Sequence, residues 1–329
     1  MRGSDVRSFP RQRGFSLIEL MIAVTLGLMI VAVVLGVFLS GNKSYREDDR
    51  FAQMQENGRF AMKVLAQDLA MSGFWGNLDS PSSVSAGGLA AICNTGTKNI
   101  TFDSTQPLAY LRQPTAAQAN AAYSCIDATE FSSGDVLAIQ RVQGGDDTPA
   151  ADKVYLVTST TGTMTQWAAG GPEAGKKYWQ YVPHIYFIRN YAATAGDGVP
   201  ALCRKTLNNG SPLQMIGETG GCLAEGIENF HVEFGIDTDT GAPDGLANIY
   251  TSAPTATELK TAVSARIWVL VRSRDADPAY TTDNRTFTMG DVARTITTAA
   301  NDHYYRRVFS TTVALRDLTN FGRMEVVGE

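Results

Sequence analysis

The sequence predicts an α+β protein: one long N-terminal α-helix, first transmembrane and then amphipathic, packed on an antiparallel β-sheet head. Three observations predict it. An apolar run of about 25 residues starts at Phe15 and carries one ionisable side chain, Glu19. A helical apolar stripe follows without a break from proline. The rest alternates β-branched and aromatic runs with Gly, Asp and Ser turns.

Residues 1–14 are short and basic. Arg2, Arg7, Arg11 and Arg13 against Asp5 give this leader +3, so the remainder of a chain with net charge −5 carries −8. An acidic body argues against nucleic-acid binding through a basic face. The run 15–39 is long enough to cross a bilayer at about 1.5 Å per residue. It leaves through Val37-Phe38-Leu39-Ser40-Gly41, which lacks the small residues that signal-peptide cleavage needs. The small residue suited to cleavage is Gly14, before the run. A carboxylate at Glu19 would cost about 2.5–3.5 kcal/mol at the hydrocarbon centre, which no plain anchor needs.

From residue 40 to 76 the helix continues as an amphipathic one. Phe51, Met54, Gly58, Ala61, Met62, Leu65 and Leu69 recur at three- and four-residue steps, with Arg50, Gln53, Gln55, Glu56, Lys63 and Asp68 between them. Gly36 and Gly41 are weak points where a bend or local melting is expected. Gly73-Phe74-Trp75-Gly76 stops the helix.

Residues 77–329 make the head. Its first part, to about 131, reads as a loose connection with a helical turn at Ala116–Ala122. Strands are expected at Asp135–Val142 and Lys153–Val157, flanking a Gly144–Asp147 turn, then at His184–Tyr191, Ile227–Ile236, Ala262–Arg272 and Tyr304–Leu315. Arg266 to Arg272 is apolar on both faces, as suits a central strand covered by the helix. Four cysteines, Cys93, Cys125, Cys203 and Cys222, suit two disulfides in an oxidising compartment, and the local pairing Cys93–Cys125 with Cys203–Cys222 is the preferred one of three. They also place the head outside the cytoplasm.

Chemistry is sparse. Asp237, Asp239 and Asp244 lie in a Gly-rich stretch that suits either a Ca²⁺ loop or a hairpin turn; Asn248 stands where an EF-hand loop has its bidentate Glu. His184, His231 and His303 are scattered, and no H-E-x-x-H, G-x-S-x-G or Walker pattern occurs. The first two sit in strand patterns that suit a structural histidine. The arginines of the 266–274 and 306–307 segments suit salt bridges better than a DNA patch, and Trp75, Trp167, Trp179, Tyr181 and Tyr186 suit packing. No enzyme and no catalytic residue is expected.

Gly14-Phe15-Ser16-Leu17-Ile18-Glu19, behind its basic leader, resembles the processing site of the type IV prepilin family. The resemblance implies a pilin-like fold. It also implies cleavage between Gly14 and Phe15 by prepilin peptidase, N-methylation of Phe15, and an assembly contact at Glu19. Residues 226–237, 265–272 and 305–316 resemble the PilW-like minor pilins. That branch implies a role in initiating a type IV pilus. Partners would be other minor pilins of the PilV, PilX and FimU types, a PilY-type adhesin, the major pilin and the inner-membrane assembly platform. It implies an inner-membrane prepilin with a periplasmic head that later joins the pilus near its tip. A type II secretion pseudopilin, or an adhesin carried on a pilin stem, are the alternatives.

Overall fold

The computed structural model describes residues 14–78, 81–87, 89, 93, 102–146, 149–151, 153–167, 171–208, 214–217, 221–239, 244–280, 284–295 and 302–316. The leader before Gly14 and the Thr240–Pro243 part of the aspartate loop lie outside them. The chain divides into two compact units, Met1–Phe51 and Ala52–Glu329.

In chain order the elements are α1 (Leu17–Ala70), β1 (Val84–Ser85), β2 (Leu108–Leu111), α2 (Ala116–Ala122), β3 (Val136–Ile139), β4 (Val142–Asp146), β5 (Val154–Thr158) and β6 (Gly162–Gln166). There follow β7 (Lys177–Tyr181), β8 (His184–Arg189), β9 (Ala201–Asn208), β10 (Gln214–Gly217), β11 (Ala224–Glu225), β12 (Ile227–Ile236) and β13 (Ile249–Thr251). The last are α3 (Ala256–Lys260), β14 (Ala262–Arg272), β15 (Thr286–Met289), β16 (Val292–Thr295) and β17 (Arg306–Ala314). The backbone stays helical through Gly36 and Gly41, so the local melting allowed by sequence is not seen.

The head is built from more than the single sheet expected. One sheet runs β1-β6-β5-β7-β4, a second β10-β9-β8-β3-β2 with β11 on β9, and a third β13-β12-β14-β17; β15 and β16 form a separate hairpin. Among the described residues all pairings are antiparallel except β1 with β6. The Gly144-Gly145 segment, expected as a turn, lies inside β4, which is bulged there and passes under the Trp179 ring. Asp135–Val142 is likewise not one strand but the end of an approach, β3, and the start of β4.

The middle sheet separates two cores, which explains why β3 and β8 are apolar without alternation. Leu137, Ile139, Tyr186 and Ile188 face one core; Val136, Ala138, Ile185 and Phe187 face the other. The first core is closed by α1 and the third sheet: Met54, Ala61, Leu65 and Leu69 meet Phe230, Val232, Phe234, Ile267, Val269 and Val271. β14 is the central strand there, between β12 and β17. Gly58 is the closest approach. A Cβ on it would stand 2.8 Å from the Phe309 ring and 3.1 Å from Val271, so helix and sheet meet only because the side chain is absent. The second core gathers Trp75, Phe102, α2 and the inner faces of the first two sheets. Its helix α2 begins on a capping box, Thr115 with Gln118, and occupies the Ala116–Ala122 turn expected from sequence.

Candidate functional site

The N-terminal unit presents the processing motif openly. Among the described residues nothing beyond its chain neighbours comes within 4 Å of where a side chain on Gly14 would start, and Phe15 is 87% exposed. Helix α1 begins after Ser16, whose backbone N–H donates to Glu19 Oε2 at 3.3 Å, and Leu20 N–H donates to Ser16 C=O at 3.1 Å. Ser16-Leu17-Ile18-Glu19 is therefore the S-x-x-E arrangement of a capping box, with its reach-back bond formed. The sequence reading assigned Glu19 to assembly alone; locally it also satisfies one of the helix's orphan donors. Beyond it, Leu20, Met21, Ile22, Val24, Leu28, Met29 and the large apolar residues that follow to Leu39 are exposed. Fully burying each is worth about 1.5–3 kcal/mol, so a sleeve of this kind calls for an apolar surrounding. It is the one helix among the described residues long and apolar enough to cross a membrane.

In the head, Cys93 is bonded to Cys125 and Cys203 to Cys222, the local pairing, with no free cysteine among the described residues. Each bridge fastens a segment to the second core.

Donor oxygens of Asp237, Asp239 and Asp244 lie within 4.8 Å of one another. They also hold the loop. Asp237 accepts N–H bonds from Asp239 (3.1 Å) and Gly245 (2.8 Å), Asp244 accepts from Leu246 (2.8 Å), and Asn248 Nδ2 donates to Asp239 (3.3 Å). These are the turn bonds that Asp makes without any ion. Calcium there remains a proposal resting on proximity.

The arginines expected in salt bridges are found in them or stacked. Arg306, nearly buried, holds Glu228 in a fork (2.6 and 3.1 Å) and Asp302 at 2.6 Å. Arg274 meets Glu225, while Arg266 and Arg272 lie over the rings of Tyr250 and Tyr304. Trp75 packs edge-on against Phe102, Trp167 against Tyr178, and Trp179 against Phe74.

Among the buried carboxylates that sequence reasoning did not find, two sit beside a histidine and a tyrosine. Asp68 was sorted with the polar face of the helix, yet it is 4% exposed. His184 Nδ1 and Tyr186 OH donate to its Oδ2, and Arg141 Nε and Nη2 donate to Oδ1 at 3.1 and 2.9 Å. Burial works to raise the Asp68 carboxyl, but these bonds, His184 first and with the charge of Arg141 added, hold it well below the usual carboxylate range. His184 is pushed down by burial, which outweighs Asp68.

The second is Asp135, fully buried at the entry to β3. It accepts from Tyr110 OH (2.5 Å), Gln113 N–H (2.9 Å), Gln113 Nε2 (2.8 Å), Val232 N–H (2.8 Å) and His231 Nδ1 (2.9 Å). The other ring nitrogen of His231 meets Asp291 Oδ1 at 2.9 Å, from the tip of the β15–β16 hairpin. Burial tends to lower His231, but the bond and charge of Asp135 and the charge of Asp291 outweigh it and raise it. Tyr110 is driven up by burial and by Asp135. Only the charge itself, Asp68 or Asp135 beside apolar neighbours, signalled either cluster; their partners lie far along the chain.

Comparison with known proteins matches residues 9–35 to the prokaryotic N-terminal methylation motif and residues 185–317 to the family described as type IV pilus-assembly protein W. No curated protein matches the chain. Among solved structures, a type IV-like pilin from Thermus thermophilus is 13% identical, covering 83% of this chain and 98% of its own, with a TM-score of 0.32.

Proposed function

We propose that this PilW-like type IV prepilin works as a minor pilin that helps to initiate assembly of a type IV pilus. The observation that carries the reading is the open Gly14-Phe15 junction ahead of an apolar sleeve, joined in one helix to a stripe buried in a large head. Its role is mechanical. Prepilin peptidase removes the leader after Gly14 and methylates Phe15 while the sleeve sits in the inner membrane and the head in the periplasm. Assembly then transfers the sleeve from lipid to a bundle of like helices, so apolar burial is kept and little free energy opposes the move. Glu19 supplies the polar contact of the new environment, taking the methylated N-terminal amine of a neighbour as its partner. A pair in so dry a place fixes register more than it adds stability. Other minor pilins of the PilV, PilX and FimU types, a PilY-type adhesin and the major pilin would be its neighbours, at or near the tip.

Mass spectrometry of the mature chain is expected to find N-methyl-Phe15 at its start. Replacing Gly14 with a bulky residue should leave the leader uncut; normal processing of that variant would sink the assignment. For Glu19 two variants separate cap from charge. Glu19→Gln keeps an acceptor for the Ser16 N–H and removes the charge, whereas Glu19→Ala removes both. Loss of piliation in both variants, with membrane insertion intact, is the expected result. Wild-type piliation in Glu19→Gln would reduce the residue to a helix cap.

A further inference from the structure

The cluster around His231 has more acidic ligands than its cations account for. On β12 the side chains at 231 and 233 fall two apart and share the face turned away from α1, while Phe230, Val232 and Phe234 fill the core. Onto that outer face comes the β15–β16 hairpin. Its two-residue turn, Gly290-Asp291, sits tightly: Gly290 has φ +60°, and a Cβ there would collide with Glu233 Oε1 and stand 3.2 Å from Trp268. The turn delivers Asp291 to His231 and Glu233, so that one donor atom from each of the three lies within 4.8 Å of the others.

We propose that His231, Glu233 and Asp291 form a binding site for a first-row divalent cation of the zinc type. Four features carry it. The imidazole is wholly buried and oriented by a buried carboxylate on Nδ1, the outer-shell arrangement that metal-binding histidines share, which leaves Nε2 aimed at Asp291. Both partners of the ring are acceptors, so a neutral imidazole can serve only one of them. The Nε2 position needs either a second proton or a cation in its place. Each carboxylate is itself fixed: Asp291 Oδ2 accepts from Arg112 Nη2 (2.9 Å) and Ser252 Oγ (2.6 Å), and Glu233 Oε1 accepts the Asp291 N–H at 3.1 Å. Against the carboxylates of Asp135, Glu233 and Asp291 one guanidinium among the described residues, Arg112, is paired, since Arg266, opposite Glu233 in the register, lies over Tyr250.

One imidazole nitrogen and two carboxylate oxygens, with solvent completing the set, suit zinc and its neighbours better than calcium or magnesium, which take oxygen alone. Donors about 2.0–2.1 Å from one cation stand no more than about 4.2 Å apart. His231 Nε2 and Asp291 Oδ1 already meet that limit at 2.9 Å, and a Glu233 carboxylate oxygen lies within 4.8 Å of its two partners' donor atoms. On binding, the cation takes the place of the Nε2 proton, which leaves to solvent. Asp291 is half-exposed at a hairpin tip, which gives the ion its way in.

The test uses the full chain in detergent, stripped with a chelator, then titrated with zinc chloride by calorimetry and read by X-ray absorption. One zinc per chain is expected, bound at micromolar or tighter affinity, with a nitrogen and oxygen shell and no sulfur, and with a raised melting temperature. Glu233→Gln and Asp291→Asn should each weaken it at least about tenfold while leaving the metal-free melting temperature near that of the parent. These two variants serve because replacing the buried His231 would itself change the metal-free melting temperature. Asp239→Asn with Asp244→Asn should change nothing. Absence of micromolar binding, or binding that survives Glu233→Gln and Asp291→Asn, or binding lost with Asp239 and Asp244 instead, overturns the proposal.

Discussion

Asp68 and Asp135 are two answers to one problem, a carboxylate kept dry beside a histidine and a tyrosine. Asp68 brings its own counter-ion: Arg141 forks onto one oxygen, so His184 need only donate Nδ1–H and stays neutral. Asp135 has no arginine in contact among the described residues. It relies on two backbone N–H groups, Gln113, Tyr110 and a histidine whose proton affinity is raised by carboxylates on both sides. The difference teaches that a histidine's charge follows from whether the acid it faces has already been neutralised. The same side-chain types thus give opposite responses to pH.

The comparison breaks first at the counter-ion. Asp68→Ala should cost about 3–5 kcal/mol in urea unfolding of the full chain in detergent, because it strands a nearly buried Arg141 together with His184 and Tyr186. Adding Arg141→Met to Asp68→Asn should restore much of that loss. Failure of the double variant to recover would mean that Arg141 is not the balancing charge.

The next effect is one of sign. His184 has a folded pKa below its ordinary value, so the unfolded chain binds more protons as pH falls below about 6.5, and stability drops on that side. Asp68, also depressed, adds a further loss as pH falls below about 4. His231 in the metal-free chain has a raised folded pKa. Its contribution is fully present below about 6.5 and is lost as pH rises through the raised value. The groups facing it are Asp135 before β3, Asp291 of the hairpin with Arg112 and Ser252 behind it, Glu233 on its own strand and the Trp268 ring on β14. His184→Asn should therefore flatten the acid limb of the stability profile, and His231→Gln the alkaline limb. Two limbs that respond to the same variant would dissolve the distinction. The smallest effect belongs to Arg112→Ala, whose pair with Asp291 is roughly half-exposed and worth about 0–1 kcal/mol.

The parts of the fold with long, clean periods were readable from sequence. β12 begins and ends at Ile227 and Ile236 as its alternation predicts, and Met54, Gly58, Ala61, Leu65 and Leu69 of the stripe are buried as their spacing requires, with Met62 partly buried and Phe51 exposed. The middle sheet was not readable as a divider. Its strands are short, and burial on both faces erases the alternation that marks a sheet surface. β9 carries no strand signal in the sequence because Arg204, Lys205 and Thr206 interrupt its apolar residues. Asp68 was misplaced for a related reason: periodicity sorts residues by polarity, and an acid that finds His184 116 positions later leaves no local trace. Hairpin β15–β16 and the Asp291 it carries to His231 were likewise invisible, since their pairing is set by a turn sixty residues downstream. The capping role of Glu19, by contrast, stood in the S-x-x-E spacing and was overshadowed by the processing motif that contains it.

The seat of Gly58 under Phe309 sets a timetable for the nascent chain. Phe309 is made about 250 residues after Gly58, and at about 5–20 residues per second that is a delay of about 12–50 s. Throughout that interval the stripe of Met54, Ala61, Leu65 and Leu69 has been synthesised while the strand that closes over it has not. Chains cut short before β17 are expected to be cleared as aggregates or proteolytic fragments, not stored as half-built subunits.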